Sequence, residues 1–299
     1  MSAAVDPTHA HLPLPGGRAG ASVVVEPLRC GEVSAPPGFY DRPDGRLGYV
    51  RGLLAPRSKW FWVPVPVFLV RHPSVGTILI DTGLHPTAAL DPAANFGPLL
   101  GRLQRVRLDR AEAAPERLAS LSVDPSEVRV FILTHLHFDH ASAISEFPRA
   151  TFVVDREEWD AASNGGARDG YRSRQFDHAF DWQTIDFESR SVDSFATFGR
   201  SVDLFGDGSV RLLSTPGHSA GHMSVLLALA AGGELLVCGD AMYSRESLHS
   251  DLRPLFVHDP HLYRRSLREI RQYAQQTPGA TIVPGHDPRA WQTIAARYA

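Results

Sequence analysis

At 299 residues, 43% hydrophobic and 21% charged, the chain has the composition of a globular protein able to bury a sizeable core. Its formal net charge of −3 leaves no basic footprint for nucleic acid or an anionic membrane, and no apolar run reaches the roughly 20 residues that a bilayer-spanning helix needs. The two cysteines, Cys30 and Cys238, make no disulfide framework, and residues 1–17 carry acids, histidines and prolines where a signal peptide has its apolar segment. A reducing cytoplasm is therefore the expected setting.

Residues 1–21, rich in Pro, Gly, Ala and His without periodicity, are expected to be a flexible N-terminal arm. Regular structure begins at Ser22, with Val23-Val24-Val25 as a strand. Residues 34–56, full of Pro, Gly and Arg, are expected to be mostly loop. The aromatic cluster Trp60-Phe61-Trp62 reads as a core or loop anchor, with a substrate wall or a homodimer contact as its alternatives. Val67–Val70 and Thr77–Ile80 form a hairpin across Pro73, Ser74 and Gly76, all turn formers. The second of these strands ends in Asp81, a turn residue or a carboxylate that orients a ligand.

Residues 84–109 read as a long mixed connection with a short helix from Pro98. A helix over Pro115–Leu121 leads into Val128–Leu133, a short β-branched and aromatic run of the kind that makes a buried strand. After the polar stretch that follows, a helix start is expected over Ala141–Glu146, and a strand over Thr151–Val154. A helix over Asp155–Ser163 is capped by Asp155, with Glu158 at capping-box spacing. Residues 165–199 have no clean period and are expected to be a lid or pocket wall. Strands return over Val210–Leu213, Ser224–Leu229 and Glu234–Cys238, the last two joined at Gly232-Gly233. Pro260–Gln276 is an amphipathic helix with Leu262, Leu267, Ile270 and Tyr273 on its stripe. Ala280–Val283 is a last strand, and a closing helix covers Arg289–Tyr298. Strands followed by helices, twice over, predict an α/β protein of two sheets packed face to face with helices outside, forming one domain over residues 22–299.

The chemistry concentrates at Thr134-His135-Leu136-His137-Phe138-Asp139-His140. In extended backbone His135 and His137 lie on one side, so both imidazoles reach one ion. Asp139 and His140 project toward a neighbouring point. Three protein ligands and a water suffice for a catalytic zinc, so this surplus predicts two ions. Three further strand ends each carry one His or Asp beyond a sharp turn: His218 in Thr215-Pro216-Gly217-His218, Asp240 after Gly239, and His286 after Pro284-Gly285. His222 reads as a packing or solvent residue, with support of a ligand from behind as its alternative because His218 is close, and Cys238 reads as a core thiol.

The order His-x-His-x-Asp-His, then His218, Asp240 and His286, resembles the metallo-β-lactamase superfamily from about Val67 to the C-terminus. The resemblance implies a four-layer αβ/βα sandwich with its metals at one edge of the paired sheets. It implies that His135, His137 and His218 hold one ion, that Asp139, His140 and His286 hold the other, and that Asp240 and a hydroxide bridge them. Within the superfamily, the run His135 to Ala141 and Tyr243, three residues after Asp240, are similar to the N-acyl-homoserine lactonases. That likeness implies a quorum-quenching metallo-hydrolase in which the hydroxide attacks the ring carbonyl of a small acyl lactone. Tyr243 would contact that carbonyl, and Asp139 would pass the proton to the leaving alkoxide. Zinc is the expected ion of the pair, with iron, cobalt or manganese as alternatives. The chain departs from its relatives at Ser142-Ala143, where glycines are usual. An aryl-esterase or phosphotriesterase of the same fold is the rival reading, and a non-catalytic metal-binding module a weaker one.

Overall fold

The computed structural model describes residues 5–42, 45–166 and 169–299. In chain order the described residues form β1 (Thr8–His9), β2 (Val24–Ala35), α1 (Gly45–Leu53), β3 (Phe61–His72), β4 (Gly76–Ile80), α2 (Pro92–Phe96), α3 (Pro98–Leu103) and β5 (Val106–Arg107). Then come α4 (Ala114–Ser120), β6 (Val128–Ile132), α5 (Phe138–Ala141), β7 (Thr151–Asp155), α6 (Arg156–Asn164), α7 (Ser173–Phe176), β8 (Asp181–Ile185) and β9 (Asp193–Phe195). The remainder is β10 (Phe198–Asp203), β11 (Val210–Ser214), β12 (Met223–Ala228), β13 (Glu234–Val237), α8 (Pro260–Gln276), β14 (Thr281–Val283) and α9 (Pro288–Trp291). One sheet has eight strands in the order β1-β8-β7-β6-β4-β3-β2-β5; the other has six, β14-β13-β12-β11-β10-β9.

The period of two along each strand divides its side chains between two apolar layers. In the first sheet Phe68, Val70, Ile78, Ile80, Val130 and Ile132 face the second sheet. Their neighbours Val67, Leu69, Leu79, Phe131 and Leu133 pack instead with Leu118 of α4 and Trp159 of α6. In the second sheet Leu212, Val225, Leu235 and Val237 face inward, while Leu213, Leu226 and Leu236 meet Tyr263, Leu267 and Ile270 of α8. Each such buried side chain contributes roughly 1.5–3 kcal/mol. Helix, sheet, sheet and helix make the four expected layers.

Several expectations are corrected. The N-terminal stretch is not a loose arm over its described part: β1 pairs in parallel with β8, and Ala10 and Leu14 are buried in the central layer. Long-range contacts, which periodicity does not report, hold it there. Residues 34–56 contain the end of β2 and the helix α1. Phe61 and Trp62 begin β3, whose Pro64 and Pro66 pair only with β2 because β4 joins from Phe68 onward, so their missing N–H groups break no ladder on the other side. Residues 165–199 are mostly not a lid: α7, β8 and β9 lie there, and β8 is an inner strand between β7 and β1. The helix expected from Ala141 begins earlier, at Phe138, and the closing helix stops at Trp291. Beyond it Tyr298 bridges to Val25 and ties the C-terminal end to β2.

Candidate metal centre

Every candidate ligand sits just past a strand, where backbone leaves the ladder and side chains are free to converge. His135 and His137 follow β6; Asp139 and His140 lie on α5, which starts immediately afterwards. His218 follows β11, Asp240 follows β13 and His286 follows β14. The turn before His218 needs Gly217, whose φ is +129° and where a Cβ would lie 2.1 Å from the Tyr263 amide of α8.

The side chains meet in two groups. His218 Nε2 lies 2.8 Å from His137 Nδ1 and 3.1 Å from His135 Nε2. His286 Nε2 lies 3.4 Å from His140 Nε2 and 3.5 Å from Asp139 Oδ2. Asp240 stands between them. Its Oδ2 is 3.2 Å from His218 Nε2, and its Oδ1 is 3.1 Å from His286 Nε2 and 3.4 Å from His140 Nε2. The donor atoms of His135, His137 and His218, those of His135, His140 and Asp240, and those of Asp139, His140 and His286 each lie within 4.8 Å of one another. Asp240 Oδ1 is buried and, although it faces the ring nitrogens of His286 and His140, makes no hydrogen bond of good geometry, which is costly in an apolar interior and is what a cation would satisfy. Imidazole and carboxylate donors in two triads with a shared carboxylate fit a pair of divalent ions.

The outward nitrogens of His140, His286 and His218 are taken, which leaves their inward ones as donors. His140 Nδ1 is 2.7 Å from Asp81 Oδ2, and Asp81 Oδ1 accepts from the Thr134 N–H at 2.8 Å. His286 Nδ1 donates to the Pro64 carbonyl at 2.8 Å, and Tyr40 Oη donates to the carbonyl of His286 at 2.6 Å. His218 Nδ1 lies 2.8 Å from Tyr243 Oη, which donates to the Phe256 carbonyl at 3.1 Å. Burial and the neighbouring imidazoles hold His135 well below the usual histidine range. Burial does the same to His218, so both rings are neutral donors. Burial opposes ionisation of Asp240, but His286, His218 and His140 hold its carboxyl well down. At His140 burial is outweighed by Asp81, Asp240 and Asp139, which raise it well above the usual range. That excess of negative charge is where a cation belongs.

A family model of the metallo-beta-lactamase superfamily matches residues 60–286. The chain belongs to this superfamily. The N-acyl homoserine lactonase AttM of Rhizobium johnstonii is 35% identical over 235 residues, covering 78% of this chain and 85% of that protein. The N-acyl homoserine lactonase AiiA of Bacillus thuringiensis subsp. kurstaki is 26% identical over 253 residues, covering 83% and 92%. A solved N-acyl homoserine lactone hydrolase with N-hexanoyl-L-homoserine at its catalytic metal centre superposes with a TM-score of 0.74 at 21% identity, covering 92% of this chain and 97% of that one. AidC, a dizinc quorum-quenching lactonase, superposes at 0.60 with 15% identity, covering 92% and 90%.

The superfamily site opens into a cavity of about 500 Å³, large enough for a small organic ligand. Phe39, Trp60, Leu100, Leu103 and Leu255 line it, together with Tyr243 and the ligands His137, Asp139, His218, Asp240 and His286. Of the long polar stretch expected there, Asp169, Gly170 and Tyr171 contribute. Trp60 is thus a pocket wall, whereas Trp62 lies beneath the Arg107 guanidinium, 3.9 Å from its ring centre. Ser142 and Ala143 are held locally: Ser142 Oγ accepts from the His85 N–H, and Ala143 N–H donates to Thr82 Oγ1, both at 3.1 Å.

All seven ligand candidates and Tyr243 are brought together. His222, for which the sequence favours packing or solvent over a place behind the ligands, takes the latter: its Nε2 accepts from the Asp240 N–H at 2.9 Å and its Nδ1 lies 2.9 Å from Thr215 Oγ1. Burial pushes His222 down to about 3, so it is the neutral acceptor that this bond requires. Its spacing from His218, on the same loop, was the available signal. Tyr40 and the Phe256 carbonyl left none, because the Tyr40 hydroxyl bonds a backbone carbonyl and Phe256 acts through its own.

Proposed function

We propose that the chain hydrolyses the ester of N-acyl homoserine lactones, opening the ring to give an N-acyl-homoserine, a quorum-quenching activity carried out in a reducing cytoplasm. The observation that carries this reading is Asp240, a buried carboxylate with one oxygen turned to each histidine triad. The two relatives named N-acyl homoserine lactonase support the substrate class. Buried, unpaired Cys30 and Cys238 agree with the compartment, and no helix among the described residues is long and apolar enough to cross a membrane.

His135, His137 and His218 would hold one ion, Asp139, His140 and His286 the other, and Asp240 would contact both; zinc suits this donor set. Two divalent ions so held supply a water acidic enough to attack at neutral pH and a Lewis acid for the carbonyl oxygen. The protein does the rest. The cavity takes the acyl chain against Phe39, Trp60 and Leu103 and excludes water from the ring. Tyr243, buried beside His218, turns its hydroxyl from the Phe256 carbonyl to the carbonyl oxygen of the lactone and stabilises the charge that develops there. Asp139, at the margin of the second triad, takes the proton from the attacking water and returns it to the departing alkoxide.

Acid release from N-acyl homoserine lactones of several chain lengths, measured beside hydrolysis of an aryl phosphotriester, tests the assignment. Lactone opening should dominate. Fast phosphotriester turnover with negligible lactone opening would favour the rival esterase reading.

A further inference from the structure

Glu158 occupies the third helical position of α6, where Asp155-x-x-Glu158 leads one to expect a carboxylate folded back on the Asp155 amide. Asp155 does its half, accepting from the Glu157 N–H at 2.6 Å and the Glu158 N–H at 3.3 Å. Glu158 does not return the bond. Its fully buried side chain crosses to two other segments: Oε1 accepts from the Leu136 N–H at 2.9 Å, and Oε2 from the Gly221 N–H at 3.0 Å. Leu136 lies between the ligands His135 and His137. Gly221 closes the loop that carries His218. A Cβ on Gly221 would lie 2.3 Å from the Glu158 amide nitrogen and 2.4 Å from Asp155 Oδ1, so this loop rests directly on the start of α6. A carboxylate is buried at high cost unless its oxygens are well bonded, and here one oxygen serves each loop.

We propose that Glu158 is a positioning residue for the first metal triad, strapping the His135–His137 segment to the His218 loop and so setting the 2.8 Å approach of His137 Nδ1 to His218 Nε2. With the bond from Met223 N–H to the Thr134 carbonyl at 2.8 Å, the strap fixes two backbones that belong to different sheets. The proposal rests on the two-ion reading of the site and is independent of which substrate is hydrolysed. Glu158→Gln keeps the shape but sets an NH2 group against one of the two backbone N–H groups. Glu158→Asp keeps the charge and, a methylene shorter, reaches only one loop.

The test is zinc binding by chelator-stripped protein, titrated in competition with a chromophoric chelator, with circular dichroism to establish the fold. The parent should bind two zinc ions. Each Glu158 variant should weaken one of them by about 10- to 100-fold and leave the other within about twofold. Tyr273→Phe removes a hydroxyl bonded to Glu234 near the C-terminal end of α8 and should keep both ions, which separates positioning from general loss of stability. A folded Glu158→Gln or Glu158→Asp protein that binds both zinc ions as tightly as the parent overturns the proposal. Loss of the native spectrum in both variants also overturns it, making Glu158 a determinant of the fold instead. A parent that binds no zinc removes the two-ion reading and the proposal with it, whereas absent lactone turnover touches neither.

Discussion

Tyr243 and Asp81 make opposite predictions because His218 Nδ1 keeps the Phe256 carbonyl 3.3 Å away when the Tyr243 hydroxyl is removed, whereas His140 Nδ1 is held by the Asp81 carboxylate. The Tyr243 hydroxyl stands outside both triads, against His218 Nδ1 and the Phe256 carbonyl. Tyr243→Phe should keep both zinc ions and lower kcat for lactone opening by about 100-fold, the usual loss when one donor to a developing oxyanion is removed. Unchanged turnover would take Tyr243 out of the chemistry. Asp81 acts through His140, whose Nδ1 it holds at 2.7 Å. Asp81→Asn should weaken zinc at the Asp139–His140–His286 triad by about 10- to 100-fold and spare the other triad, read from the same competition titration. Loss at the first triad instead would contradict the grouping of His140 with Asp139 and His286. At this scale the sequence was most legible where side chains act directly. His135, His137, Asp139 and His140 declare themselves by spacing, and His218, Asp240 and His286 by their place after strands. Asp155-x-x-Glu158 has the spacing of a capping box, whereas the partners Glu158 takes are the amides of Leu136 and Gly221, which no residue type announces.

At the scale of elements, the β3–β4 turn is held by a histidine remote from the metal centre. His72 Nδ1 accepts from the Ser74 and Val75 N–H groups at 3.2 and 3.1 Å, while Nε2 faces Asp207 Oδ2 at 3.1 Å and Ser209 Oγ at 2.9 Å. Burial lowers His72 below its ordinary 6.5, although Asp207 pulls the other way. The unfolded chain therefore takes up the proton more readily than the folded one. The contribution of neutral His72 is complete above about pH 6.5 and is lost as the pH falls below that value. Urea unfolding of the parent should weaken between about pH 7 and pH 5 more steeply than that of His72→Gln; parallel curves would show that His72 carries none of the dependence. The elements themselves were largely legible: α8 keeps the bounds Pro260–Gln276 and buries Leu267, Ile270 and Tyr273 of its stripe, with Tyr263 rather than Leu262 at the first turn, and the β3–β4 hairpin matches its turn residues. Residues 165–199 were not, because β8 is mixed in polarity and draws its place from β7 and β1 on either side.

At the scale of the molecule, two sheets from the two halves of the chain close on one apolar layer, and the N-terminal segment is part of that closure. Thr8 pairs with Gln183, and Leu14 packs among Phe205, Val210 and their neighbours. Contacts across such separations have no signature in local pattern, which is why the sequence of this segment predicts a flexible arm instead. Leu14→Ala should destabilise the fold by about 2–3 kcal/mol in chemical denaturation, and unchanged stability would mean that the segment is not docked in solution. The same closure brings strand ends from both sheets to one place, and the function rests on that convergence. Native mass spectrometry of the purified, folded protein measures it most directly. Two divalent ions per chain, both released on acid unfolding, is the predicted result; a folded chain that carries none, or saturates at one, would contradict the account.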